Sequence, residues 1–454
     1  MRKKTEFKNL TKPYLELAIK NIAELVAIDS SFDSDSVSKI DPFGKGVTKA
    51  LKAVEKMALK DGFKVKNYDN KVVEIICGEG DKNVTILAHA DVVPACGEWD
   101  SNPFELKITK THLIARGVAD DKGPMIASYY AMKALRDNHL IDGFQVRLLV
   151  GGNEESGSEC MKHYFEVLKK PQPTFGFSPD ASWPLIFAEK GIFNFVVSKE
   201  IKLPHIKSIK GGVAANAVIE RCEVVSDDNS IEKLVKDNSK RYTVTEKGKD
   251  YHYTVIGRSA HGSTPEIGEN AGMEALKAVA EFTKIPELIQ LVSRYLPLDG
   301  SGLKADGNSI VMGHNTLNVG MISYDGKELR MTVNFRYVET VKLEKMKENI
   351  KKNTPFDVTF GEVSKLLYYP TDTILISTLM KSYQEETGDL ESKPLAIGGG
   401  TYAKEASNVV AFGMEYADSD ARMHDANENL RIKDLEEAMA IYANAIIKLG
   451  ALCK

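Results

Sequence analysis

The apolar positions change period along the chain, and the changes outline its organisation. In "TKPYLELAIKNIAELVAI" they recur at helical spacing, behind Thr11 as a candidate N-cap and with Pro13 in the first turn. Short apolar runs near 72–76, 84–88, 146–150 and 175–177 read as buried strands. Helical patterns fall between them, among them "PMIASYYAMKAL" and "ECMKHYFEVL", the latter opened by Ser156 and Glu159 as a capping box. Strands alternating with helices predict an α/β sheet with helices on both faces. From Gly191 to about Tyr368 the pattern differs. There "KDYHYTVIGRSAHG", "KELRMTVNFRYVE" and "FDVTFGEVSK" alternate as half-exposed antiparallel strands do, with charged helices such as "VKLEKMKENIKK" between them. The α/β character returns with "LAIGGGTYAKEA" and "VVAFGM", and an amphipathic helix over about 433–449 closes the chain. The predicted organisation is a discontinuous domain, residues 1–190 and 369–454, carrying an inserted domain over 191–368 built of two α/β halves.

Composition narrows the possible partners. The 454 residues exceed what one ordinary core needs, which suits two or three domains. A net charge of −4 with no basic tail argues against nucleic acid. Five scattered cysteines without a CxxC pair read as reduced thiols. The basic start "MRKKTEFKNLTKPYLEL" lacks the apolar core of a secretion signal, and no apolar run approaches the ~20 residues of a membrane span. The expectation is a soluble cytoplasmic protein with no nucleic-acid or membrane partner.

Four segments place acids or a histidine just beyond an apolar strand: "ILAHAD", "ARGVADDKGP", "LLVGGNEESG" and "FGFSPD". Ligands of open α/β sheets bind beyond the carboxyl ends of the strands. If these strands are parallel neighbours, His89, Asp91, Asp120, Asp121, Glu154, Glu155 and Asp180 meet at one edge. His89 and Asp91, two apart on a strand, leave it on the same face. Such a cluster repels itself unless cations neutralise it. His424 in "ARMHDANENL" adds a second imidazole. Carboxylates and imidazoles without a thiolate suit Zn²⁺, Mn²⁺ or Co²⁺, and the number of acids suggests two ions. Each motif alone has a plainer reading: a solvated strand end, a turn, or acids complementing a helix dipole. Their order and shared position favour the joint one.

In order, "AHADVVPACGEWDSNPFEL", "ARGVADDKGP", "GGNEESGSE", "FSPDASWP", "IGRSAHGSTPEIGENA" and "RMHDANENL" resemble the dinuclear-metal peptidases and deacylases. That family includes carboxypeptidase G, aminoacylase, carnosinase and succinyl-diaminopimelate desuccinylase. The resemblance spans nearly the whole chain, and "FSPDASWPLIFAEKG" and "ECMKHYF" are most similar to its dipeptidase V branch. It implies a mixed-sheet, zinc-exopeptidase-like α/β/α catalytic domain with a large inserted α+β lid. It implies that His89 and Asp180 hold one metal, Glu155 and His424 the other, and that Asp120 bridges both, with a cis peptide before Asp121. Asp91 would accept the second ring N–H of His89. Glu154 would be the general base. His261 in "SAHGS" would face the oxyanion. Arg336 in "VNFRYVE" would receive the terminal carboxylate of the substrate. Asn216 in "GGVAANAVIE", and Gly398, Gly399, Gly400 and Thr401 in "IGGGTY", would also contact substrate. Outside the resemblance, His261 reads as a turn residue, Arg336 as a solvated strand residue and the glycines as a turn. His112, His139, His163, His205, His252 and His314 match no motif.

The function these readings imply is a dipeptidase that hydrolyses unblocked dipeptides with two divalent ions, Zn²⁺ first and Mn²⁺ or Co²⁺ as alternatives. The rivals are an N-acyl-amino-acid amidohydrolase of the same family, a non-catalytic metal-binding scaffold and, disfavoured by the motif order, a two-metal phosphatase. The branch resemblance also implies a monomer, with His261 serving its own chain.

Overall fold

The computed structural model describes residues 6–454. The first five residues, which open both the basic N-terminal stretch and the predicted first domain, lie outside the described residues. The chain forms two compact units: residues up to 187 with 369–395 and 401–454, and residues 188–368 with 396–400.

The first unit is built on a mixed sheet. Its strands run in the order Lys64–Tyr68, Val72–Gly78, Gln145–Gly151, Asn83–His89, Phe175–Ser178 and Val409–Ala411, with Ile186–Glu189 beyond. The four from Gln145–Gly151 to Val409–Ala411 are parallel, and Val72–Gly78 and Ile186–Glu189 flank them antiparallel. Every residue of Asn83–His89 is buried, as a strand covered on both faces requires. Helices Lys122–Asp137 and Ile432–Leu452 pack on each other and on this strand, and Lys45–Lys60 packs on Lys64–Tyr68 and Val72–Gly78. The closing helix is three residues longer at its C-terminus than its sequence pattern suggests.

Two helix starts differ from expectation. The N-terminal helix begins at Phe7, so the Thr11 hydroxyl donates to the Phe7 carbonyl inside it instead of capping the next one. A 3₁₀ turn with Pro13 then leads into Leu15–Val26. Ser156 and Glu159 form no capping box: the helix starts at Glu159, and Asn153 Oδ1 accepts from the Cys160 N–H at 2.9 Å. Glu159 instead pairs with Lys71 at 2.6 Å.

The second unit is an antiparallel sheet ordered Tyr242–Lys247, Asp250–Ile256, Arg221–Ser226, Ile206–Gly211, Thr316–Tyr324, Glu328–Tyr337, Gly191–Glu200 and Asp357–Ser364. Four strands lie on either side of the edge where Ile209, Lys210 and Gly211 pair with Tyr324, Ser323 and Ile322. Alternation sends Phe193, Phe195 and Val197, and Leu329, Met331, Val333 and Phe335, into one core shared with helices Ile231–Asn238, Ala271–Thr283, Pro286–Tyr295 and Leu343–Asn353.

Candidate metal centre

The parallel strands of the first unit end together. Asn83–His89 pairs with Gln145–Gly151 in register through His89 and Gly151, so His89 emerges beside the loop that carries Glu154 and Glu155. On its other side, Phe175–Ser178 leads directly to Asp180. Asp120 stands just ahead of helix Lys122–Asp137, and a cis peptide joins it to Asp121.

Two ligand groups result: His89, Asp120 and Asp180, and Asp120, Glu155 and His424, the ligand atoms within each lying within 4.8 Å of one another. Asp120 belongs to both. Its Oδ1 is 3.0 Å from His89 Nε2 and its Oδ2 is 2.9 Å from His424 Nε2. Asp180 Oδ2 is 3.6 Å from His89 Nε2, and Glu155 Oε1 is 3.3 Å from His424 Nε2. The Asp91 contact differs in detail from the expectation. His89 Nδ1 lies closest to the Asp91 backbone carbonyl, at 3.0 Å, with the carboxylate Oδ1 at 3.4 Å. The Asp91 carboxylate instead accepts the N–H groups of Glu154 and Glu155, each at 3.1 Å. One residue thus sets the tautomer of His89, turning Nε2 toward the cluster, and fixes the loop of the two glutamates.

The electrostatics mark a site built for cations. Burial raises the carboxyl of Glu154 well above its ordinary range, with Asp180 adding to the effect. Burial likewise pushes Glu155 up to about 7 and raises Asp180. His424 is pushed up to about 11 by the carboxylates of Asp120 and Glu155 beside it. His89 is wholly buried, which disfavours its charge, yet Asp120, Asp180 and Asp91 together hold its pKa well above normal. His89 Nε2 and Glu155 Oε1 are buried without a partner in hydrogen-bonding geometry. Poorly partnered ligand atoms within a self-repelling acidic cluster are what divalent cations would satisfy, so this donor set fits two of them.

Two residues that sequence reasoning passed over hold the ligand loops. Glu428, fully buried, accepts from Arg116 Nη1 at 2.7 Å and from the N–H groups of Gly117 (2.9 Å), Ala119 (2.7 Å) and Asp120 (3.1 Å). Arg116 Nη2 in turn donates to the His424 carbonyl at 3.3 Å. This buried ion pair links the loop of Asp120 to that of His424. The only sequence signal was their presence in "ARG" and "NENL", inside motifs read for other residues. Lys122, also buried, donates to the carbonyls of Leu25 and Ile28.

The remaining candidates fall in the second unit, except Thr401. Arg336 Nη1 donates to the Gly398 carbonyl at 2.6 Å, and its Nη2 is 3.3 Å from His261 Nε2. Asn216 is exposed, and its carbonyl accepts the Gly262 N–H at 2.7 Å, next to an isolated bridge between Ala217 and His261. A Cβ at Gly398 would sit 2.7 Å from that of Ser263, so this position needs glycine, whereas Gly399 meets nothing closer than 3.6 Å. Gly400 ends the 396–400 segment. Thr401, in the first unit, caps the turn Tyr402–Glu405 through its hydroxyl. Of the histidines without a motif, His163, His205 and His252 pair with Asp69, Asp227 and Glu223.

The sequence profile of peptidase family M20/M25/M40 matches residues 85–448. The chain is 34% identical over 473 aligned positions to a Staphylococcus aureus (strain bovine RF122 / ET3-1) protein provisionally named a dipeptidase, covering 98% of this chain and 99% of that protein. Human carnosine dipeptidase 1 has a similar fold, with a TM-score of 0.59 at 14% identity, covering 98% of this chain and 99% of that one. A Saccharomyces cerevisiae dipeptidase reaches 0.60 at 15% identity, with 98% of each chain covered.

Proposed function

We propose, from the premise that the chain belongs to peptidase family M20/M25/M40, that this peptide-bond hydrolase is a two-metal dipeptidase acting on unblocked dipeptides. The observation that carries the reading is the pair of ligand groups sharing Asp120, with Glu154 beside them. His89 and Asp180 would hold one cation, Glu155 and His424 the other, with Asp120 between. When bound, the cations would supply Lewis acidity, lowering the pKa of water and polarising a carbonyl.

The residues of the chain do the rest. A Glu154 carboxylate oxygen takes the proton of the attacking water and passes it to the leaving amine nitrogen. Asp91 keeps His89 in one tautomer and Glu154 and Glu155 in place. His261 offers an imidazole N–H to the oxyanion of the tetrahedral intermediate. Arg336, buried but cationic, pairs with the free carboxylate of the dipeptide, and Asn216, Gly398, Gly399, Gly400 and Thr401 contact its backbone. The name of the Staphylococcus aureus relative supports a dipeptide substrate over an N-acyl amino acid. A retained base that is not itself a ligand speaks against a metal-binding scaffold.

The test is turnover of a dipeptide library and of N-acetylated counterparts by chelated protein reloaded with Zn²⁺, Mn²⁺ or Co²⁺. Chelation should abolish activity, one of the ions should restore it, and free dipeptides should be preferred. Full turnover by protein shown metal-free by elemental analysis would refute the mechanism, and preference for the acetylated series would point to the amidohydrolase. The reading also takes the enzyme to be a monomer. Activity regained on mixing His261→Ala with Glu154→Ala protein would instead show the histidine acting across subunits.

A further inference from the structure

Three asparagines stand side by side across the sheet of the second unit. Asn318, Asn334 and Asn194 are direct cross-strand partners on Thr316–Tyr324, Glu328–Tyr337 and Gly191–Glu200. They alternate with core residues such as Phe193, Val333 and Phe335, so they occupy the opposite face. Asparagine is depleted in strands, and a buried amide costs free energy unless it is bonded. Asn318 is 1% exposed and Asn334 2%. Their bonds give the row a purpose.

Asn318 Nδ2 donates to the carbonyls of Ala215 and Ala217, each at 2.9 Å, and so clasps the chain on both sides of Asn216. Asn334 Oδ1 accepts from Arg336 Nε at 3.0 Å, while its Nδ2 donates to Asn194 Oδ1 at 2.8 Å. With Nε held by Asn334 and Nη1 by the Gly398 carbonyl, the guanidinium plane is held from two sides. Valine or leucine would suit these strands better but would leave Arg336 Nε and two backbone carbonyls without partners.

We propose that Asn334 and Asn318 are positioning residues for substrate: Asn334, anchored by Asn194, sets the plane of the Arg336 guanidinium, and Asn318 sets the backbone from which Asn216 projects. The proposal rests on the reading that Arg336 receives a substrate carboxylate. Bidentate recognition tolerates little rotation, and a misplacement of about 1 Å can cost on the order of a hundredfold in rate.

The experiment compares a dipeptide with its C-terminal amide, which lacks the carboxylate, in the metal-loaded wild-type enzyme and in Arg336→Ala and Asn334→Ala. In the wild type the acid should be favoured. Asn334→Ala should raise KM for the acid about tenfold, change its kcat several-fold less, and lower the acid-to-amide ratio of kcat/KM by a similar tenfold. A purely structural defect would lower both substrates together. If Arg336→Ala leaves the ratio at its wild-type value, the reading of Arg336 fails. If Arg336→Ala collapses the ratio and Asn334→Ala preserves it, the positioning proposal fails alone. Should Asn334→Ala not fold, the isosteric Asn334→Asp decides. Its charge pairs with Arg336 and competes with the substrate, so the ratio should fall; an unchanged ratio overturns the proposal.

Discussion

Arg336 Nη2 lies 3.3 Å from His261 Nε2. On the other side of the ring Nδ1 lies 2.7 Å from Ser263 Oγ, so the imidazole is held between Arg336 and Ser263. Burial pushes the pKa of Arg336 down to about 10, which leaves it charged at neutral pH. A cation so held can select substrates by where their carboxylate falls. Dipeptides should therefore be cleaved in strong preference to tetrapeptides. Arg336→Ala should weaken that preference by about 1.5–3 kcal/mol, roughly ten- to hundredfold in kcat/KM. Equal efficiency of the wild type on both lengths would refute the assignment.

Glu154 and His424 should fail differently. In the proposed mechanism Glu154 is a base and not a ligand, so Glu154→Ala should lower turnover by about two to four orders of magnitude while metal content stays at two ions per chain. His424→Ala should lose metal along with activity. Parallel assays and elemental analysis of the two variants separate these outcomes, and near-normal turnover by Glu154→Ala would show that the base lies elsewhere.

Metal binding should release protons and strengthen with pH. The carboxylates around His89 and His424 raise both imidazoles above their ordinary pKa, His424 to about 11, so both carry protons at neutral pH in the metal-free protein. A cation needs their lone pairs. Loading at neutral pH should therefore expel protons from both rings. Below about 7, where Glu155 is also protonated, one more is lost and affinity falls more steeply. As pH climbs toward 11 the release should shrink. Calorimetric titration in buffers of different ionisation enthalpy measures this directly; heats independent of buffer would contradict it.

Glu428 should matter to metal affinity although it is not a ligand. Glu428→Gln keeps the size but replaces one acceptor oxygen with a donor, facing either Arg116 and Gly117 or Ala119 and Asp120. Loss of a supporting contact of this kind typically weakens metal binding about ten- to hundredfold. Breaking one side of a buried pair also destabilises, by about 3–5 kcal/mol when the partner is left uncompensated. A Kd matching the wild type would assign Glu428 to folding alone.

Much of this was legible in the chain because the relevant signals are local. Strands such as Asn83–His89 and Gln145–Gly151 are short apolar runs, and the acids sit within a few residues of their ends. What escaped depends on contacts remote in sequence. Glu428 meets the loop of Asp120 from some 300 positions away. Asn318 and Asn334 acquire meaning only when the strands pair. Asp91 was read from its carboxylate, yet its carbonyl lies nearer His89, a choice between atoms of one residue that no pattern encodes. The 396–400 segment groups with the second unit although its neighbours on both sides belong to the first. No capping box forms, because the helix starts at Glu159 itself and Asn153, farther upstream, accepts the Cys160 N–H.

Asp120 turns one oxygen to His89 and the other to His424, and the two sides differ in openness: the His89 side chain is fully buried, whereas that of His424 is 56% exposed. Were both cations of the proposed function to bind, the one beside His424 would be the more exposed to solvent, and a chelator would reach it before the one beside His89.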